Sequence, residues 1–249
     1  MKKREKYYIT TTIPYLNDVP HIGFALEAVQ ADALARYARL VGKDVFFLTG
    51  SDEHGSKIAK AAAAQGVAPK VFVARLSAAF KNLKPLLALS WNAFIRTTDT
   101  KKHWPGVTAL WHRLVEAGDI YKKIYRGLYC SGCEAFLTDK DLVDGKCPLH
   151  QKEPELIEEE NYFFRLSAYA KPLRAKIQSG EMRIVPDWRE REILALIDGG
   201  LEDISFSRSR EKLSWGIPVP GDDTQVLYVW ADAKTIHHLT GRNDIAQRF

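Results

Sequence analysis

The sequence predicts an α/β protein: a parallel sheet wound with helices and interrupted by a small inserted module. Three observations carry this reading. Residues 7–48 spell strand, helix, strand. Residues 121–160 change texture and hold all three cysteines of the chain. Residues 161–199 then return to an amphipathic helical pattern. The 249 residues suffice for a sizeable core, and the apolar share of 46% against 27% charged reads as globular.

Tyr7–Thr12 is aromatic and β-branched, hence a strand. Pro14, Asn17, Asp18 and Pro20 break it. From His21 to Leu40, Ile22, Ala25, Leu26, Val29, Ala33, Leu34 and Tyr37 recur at helical spacing, and Gly42 closes the helix. Val45–Leu48 is wholly apolar, as in a strand covered on both faces of a parallel sheet. Strand, helix and strand make a βαβ unit, the seed of a Rossmann-like sheet. Helices are expected over 55–65, 69–88 and 103–117, with a strand at Ala93–Arg96. Short strand-like pieces follow at Leu128–Cys130 and Glu134–Leu137, then an acidic run, Glu158–Glu160. Leu213–Pro220 is extended and proline-punctuated, and Val226–Trp230 reads as a strand.

Composition narrows the function classes. A net charge of +5 is mild but suits a polyanionic partner. No run of about 18 apolar residues exists, so no membrane span is expected. The basic start leads into a strand, so no signal peptide is expected. Three cysteines cannot complete a disulfide framework, which points to a metal site and a cytoplasmic, reducing location.

Cys130-x2-Cys133 and Cys147-x2-His150 have the ligand types and spacing of a structural zinc knuckle. Two residues between ligands let a tight turn aim both side chains at one ion. A closed Cys3His set leaves no open position for water, so the zinc is structural, one per chain. The alternative is two unrelated turns with small buried cysteines.

His21 stands at the start of the helix after the first strand, where unpaired N–H groups and the positive dipole end favour phosphate. Gly23 removes a side chain that would block a nucleotide. A histidine there also reads as a helix cap. Thr49–Gly55 leaves the second strand at the same sheet edge, where ligands of open α/β sheets sit. Its Asp52 reads either as a cap or as the anchor for a cationic group such as an α-amine.

These blocks occur together and in order: Pro14-Tyr15-Leu16-Asn17, His21-Ile22-Gly23, Val45–Gly55, the knuckle, Asn161–Phe164, Ser214–Pro220 and Tyr228-Val229-Trp230-x-Asp232-Ala233. From about residue 7 to 233 the chain resembles the methionyl-tRNA synthetases, class I enzymes. The resemblance implies that methionine is activated with ATP and Mg to methionyl-adenylate and passed to tRNA(Met). It implies that His21 and Gly23 serve the catalytic ATP site. It places Ile13, Tyr15, Asp52 and Trp230 around methionine, with Asp52 on the ammonium. Aromatic walls suit a thioether. It divides the chain into the first half of a Rossmann-like catalytic domain (1–118), a connective insertion with the knuckle (119–225) and the start of a second half (226–249).

Three departures accompany the resemblance. Phe24 stands where the family's His-Ile-Gly-His turn has its second histidine. The family's Lys-Met-Ser-Lys-Ser loop has no counterpart in the sequence. After Ala233 the chain passes directly to His237-His238-Leu239-Thr240-Gly241, with His237 at a family tyrosine position. The sheet is therefore expected to be incomplete, with a C-terminal portion or companion chain to complete it. Two readings follow: a methionine–tRNA ligase portion, or a non-catalytic module that keeps the knuckle and binds tRNA or protein.

Overall fold

The computed structural model describes residues 4–133, 135–231 and 233. Its first half is a parallel sheet in the order β1 (Lys6–Thr10), β2 (Asp44–Ser51), β3 (Ala93–Arg96). β1 runs against β2 from Lys6↔Asp44 to Thr10↔Leu48, and β2 against β3 from Leu48↔Ala93 to Ser51↔Arg96. β2 is central among these described strands. Phe47 and Leu48 are fully buried on its two faces, as the apolar run requires.

Helices α1 (Ile22–Leu40), α2 (Ser56–Ala64), α3 (Pro69–Leu86) and α4 (Trp104–Glu116) fall where the periodicity places them. The main core joins α1, α2 and α3 to the sheet through Phe24, Phe47, Ile58, Phe72, Val73 and Phe80. The buried face of α1 is not the one the large apolar residues mark in sequence. Ala28, Ala31, Ala35 and Ala38 are buried with Phe24, whereas Ile22, Leu26, Val29, Leu34 and Tyr37 are exposed. Alanines let the helix axis lie close to the strands, so the small side chains take the inner face.

The second half is antiparallel. A long strand, β4 (Ile120–Cys130), pairs with β6 (Glu155–Phe164) from Ile120↔Phe164 to Tyr129↔Glu155. β5 (Ala135–Leu137) and β7 (Ile204–Ser205) extend this sheet in the order β5-β4-β6-β7. The expected helical onset at 161 is thus corrected: Asn161–Phe164 end a strand. The acidic run belongs to that strand because β4 supplies the opposing charge. Arg126 lies across from Glu158, and Lys122 reaches Glu160 at 3.3 Å. Helices α5 (Ala170–Gln178) and α6 (Asp187–Asp198) follow.

A third sheet has the order β8 (Ser207–Ser209), β10 (Asp222–Leu227), β9 (Pro218–Val219). The strand expected over Val226–Trp230 is corrected here too. β10 ends at Leu227, and Val229–Ala231 turn helical as the Ala231 N–H donates to the Tyr228 carbonyl at 2.8 Å. β10 includes residue 225, and its register against β9 shifts between Asp222 and Val226. Asp232 and the segment from 234 onward, including His237, lie outside the described residues.

Asp222 ties these sheets together. Its carboxylate accepts from Thr224, from the Tyr162 hydroxyl at 3.1 Å and lies 3.0 Å from the Lys122 ammonium. The Thr224 hydroxyl, and next the Lys122 ammonium, hold the Asp222 carboxyl down to about 2. A depressed carboxyl stabilises the fold above its ordinary pKa and loses that contribution as pH falls through the folded value. Asp222→Asn is therefore expected to cost about 1 kcal/mol at neutral pH. The gap to the parent chain should close between about pH 4 and pH 2. Denaturant melts across that range check it, and a pH-independent gap would refute it.

Candidate active site and metal centre

The first turn after β1 is built against the end of β2. The Asp52 N–H donates to the Pro14 carbonyl at 2.8 Å, and the Leu16 N–H to the Asp52 carbonyl at 2.9 Å. This makes a parallel bridge between Tyr15 and Asp52, so the two residues sit side by side at the carboxyl ends of their strands. Asp52 is only 6% exposed. Ile13 lies on the neighbouring cluster of Leu48 and Ile95 and covers Gly50. Gly50 is obligatory: a Cβ there would come within 2.3 Å of the Ile95 carbonyl oxygen.

His21 caps α1. Its Nδ1 accepts from the Gly23 N–H at 3.1 Å, and a Cβ on Gly23 would stand 2.9 Å from the imidazole. The cap reading of His21 is thus the one seen in the structure. With Nδ1 accepting, the neutral ring carries its proton on Nε2, and the exposed ring offers that N–H as a donor at the helix start. Phe24 does not share that position. It is 6% exposed and packs edge-on against Phe80 with ring centroids 5.1 Å apart.

Trp230 stands apart from Tyr15 and Asp52 in what it lines. It is 55% exposed and borders a cavity of about 610 Å³ with Tyr121, Tyr125, Phe163, Arg208 and Tyr228. A second cavity of about 410 Å³ lies between Gly55, Lys60, Tyr129, Glu159 and Leu213, and Arg208 and Tyr228 line it as well. The Arg208 guanidinium is stacked by three rings, Tyr129, Phe136 and Tyr228, at 5.3, 4.8 and 4.6 Å.

One set of residues that supports the site was not singled out from the sequence. Glu53, fully buried, takes the Arg96 guanidinium on both oxygens at 2.7 and 2.9 Å. Ser51 donates to the same carboxylate at 2.6 Å, and Thr98 donates to it too. The Trp215 indole N–H reaches the Glu53 carbonyl at 2.7 Å. Arg96 was the available signal: a charge that closes an apolar strand needs a buried partner.

The knuckle residues converge. One donor atom from each of Cys130, Cys133, Cys147 and His150 lies within 4.8 Å of the others. Cys133 Sγ is 3.5 Å from Cys147 Sγ and 3.4 Å from His150 Nδ1, and Cys130 and Cys147 are each 3.7 Å from that nitrogen. A tetrahedral ion with sulfur ligands at about 2.3 Å sets edges of about 3.8 Å, so the four donors fit such an ion. His150 lies so close over Gly132 that a Cβ there would meet its ring at 2.4 Å.

A family model for class I tRNA synthetases (M) matches residues 7–153 and 139–248. The chain belongs to that family. It is 46% identical to the methionine–tRNA ligase of Caldanaerobacter subterraneus over 92% of its own length and 36% of that relative's. It is 43% identical to the methionine–tRNA ligase of Thermotoga maritima over the same shares. A solved structure of Mycobacterium tuberculosis methionyl-tRNA synthetase in complex with methionyl-adenylate superposes with a TM-score of 0.87 at 42% identity. That match covers 94% of this chain and 46% of the mycobacterial one. The chain therefore spans less than half the length of these relatives. No helix among the described residues is long and apolar enough to cross a membrane.

The glycine in the first cysteine turn gives a direct test. Gly132→Ala should displace His150 and lower metal content well below the parent chain's, while Ser131→Ala, at an exposed position of the same turn, should leave the metal in place. Elemental analysis of both variants decides. Equal metal in the two would refute the contact's importance.

Proposed function

We propose that this chain is the methionine-recognising and zinc-bearing portion of a methionine–tRNA ligase. The observation that carries this reading is the Tyr15–Asp52 bridge at the strand ends. It supports a pocket in which the buried Asp52 carboxylate receives the methionine ammonium and Tyr15 walls the thioether. Ile13 would floor the pocket beside Gly50. Trp230, which lines the cavity beside Tyr121 and Tyr125 in this structure, would have to move to reach that pocket. His21 would donate from Nε2 to the phosphates of ATP, which enters with Mg as substrate, and Gly23 would keep its imidazole in that pose. The methionyl group would then pass to tRNA(Met).

Zinc is the ion that best suits three thiolates and an imidazole in a closed set. Cys130, Cys133, Cys147 and His150 would hold it. It would supply folding energy to the turns between β4 and β6 and take no part in the chemistry.

Methionine binding tests the pocket. Weak binding is expected from the 249-residue chain, and Asp52→Ala should abolish what there is, because the ammonium would be desolvated without a counter-charge. Calorimetry with methionine measures both. Binding that survives Asp52→Ala would sink the assignment.

A second reading, a non-catalytic tRNA- or protein-binding module, has one specific observation in its favour. Phe24 is committed to the core against Phe80, so the helix start offers one imidazole where two would serve adenylate formation. Loss of one transition-state donor costs on the order of a hundredfold in rate, and groups that act together are lost together. Methionine-dependent ATP–pyrophosphate exchange by the chain alone is expected at background. Phe24→His alone is expected not to restore it, since the sequence has no Lys-Met-Ser-Lys-Ser loop. Exchange clearly above a no-enzyme control would overturn the second reading in favour of the first.

A further inference from the structure

Trp215 lies in an extended segment that the proposed function leaves without a task, and it meets all three residues of the turn that follows Asp52. Its indole N–H donates to the Glu53 carbonyl at 2.7 Å, across 162 positions of sequence. Its ring stands edge-on to His54 with centroids 5.5 Å apart. Its carbonyl accepts from the Gly55 N–H at 3.5 Å. That turn needs holding. Gly55 has a φ of +113°, a conformation that suits glycine, and glycine backbone is soft unless its neighbours fix it. It precedes α2 and brings no side chain to cap that helix. Trp215 is itself held. Before it the Leu213 N–H donates to the Ser209 carbonyl at 3.0 Å, and after it the Ile217 carbonyl accepts from the Leu227 N–H at 2.7 Å. Gly216 lies so near β10 that a Cβ there would meet the Val226 Cβ at 3.1 Å.

We infer that Trp215 is a positioning residue for the methionine ammonium, acting through Asp52. The inference rests on the proposed function above. It gives the segment between the second and third sheets a task in amino-acid recognition, separate from the metal. The backbone of Asp52 is fixed on one side by Pro14 and Leu16. Trp215 fixes the other side, where the chain leaves toward α2. Glu53 is fully buried and His54 is 2% exposed, so no water replaces the indole on the Glu53 carbonyl if the indole is lost. The ring also packs on the main core, which keeps the His54 side of the turn dry. A carboxylate binds a cation best where its direction is set in advance and water is kept from it. Trp215 serves both conditions.

The test uses Trp215→Phe, which keeps a ring and deletes the donor. Trp91→Phe is the control, because Trp91 is 5% exposed in the same core but precedes β3, at the opposite end of the sheet. Hydrogen exchange of the ligand-free chain reads the turn. Trp215→Phe should speed exchange across residues 52–58 about tenfold and leave residues 45–48 as in the parent, and Trp91→Phe should not speed it at 52–58. Calorimetry with methionine reads the pocket. Trp215→Phe should raise the Kd about tenfold with metal content unchanged, and Trp91→Phe should leave it near the parent value. Nitrogen-labelled indole spectra supply a signature. The Trp215 signal, identified by its absence from Trp215→Phe, should move when methionine is added and stay still in Asp52→Ala. Unchanged exchange at 52–58 in Trp215→Phe overturns the inference, and so does unchanged affinity beside faster exchange. Equal loss of affinity in the two tryptophan variants assigns Trp215 a structural role alone and overturns it also. If the parent chain binds no methionine, the functional reading fails, and the exchange result decides by itself whether Trp215 holds the turn.

Discussion

Everything at the carboxyl edge of the parallel sheet depends on one buried ion pair. Glu53 is fully enclosed, and a carboxylate in that setting is tolerable only because Arg96 meets both of its oxygens while Ser51 and Thr98 complete its hydrogen bonds. Breaking such a pair by removing one partner costs about 3–5 kcal/mol. The pair spans β2 and β3 and fixes the loop that follows β2. Asp52, one residue earlier, inherits that rigidity. So does the Tyr15 turn, which is bonded to Asp52 through the backbone. The Trp215 indole on the Glu53 carbonyl carries the same constraint across to the segment that leads into β9.

The sequence made the parallel half legible because its signals are local. An apolar run such as Val45–Leu48 and a glycine-closed helical period are each written in consecutive residues. The antiparallel half was harder. Glu155–Phe164 carries three consecutive acids, and its opposing charges, Lys122 and Arg126, lie on a distant partner strand. No window around the acids contains that information. The turn at Tyr228 likewise depends on a tertiary bond, since the Tyr228 N–H donates to the Phe206 carbonyl before the chain bends.

The same division holds for the candidate site. The knuckle was readable because metal-ligand spacing is a covalent constraint, and its four donors converge. His21 was readable as a position, and the structure adds how its ring sits there. The imidazole caps the helix through one nitrogen and presents the other, and only the geometry of Gly23 reveals this. Glu53 escaped notice because it reads as one polar residue in a polar loop. Its importance lies in burial. The large apolar residues of α1 gave the helix its true limits and the wrong face, because alanines pack closest to a sheet.

Arg208 has a consequence for how this molecule tolerates change. Its guanidinium, held among Tyr129, Phe136 and Tyr228, is a partition with a cavity on each side. Because Arg208 lines both chambers and is held in place by Ser205 and Ser207, a substitution of this one side chain would enlarge or reshape both spaces at once.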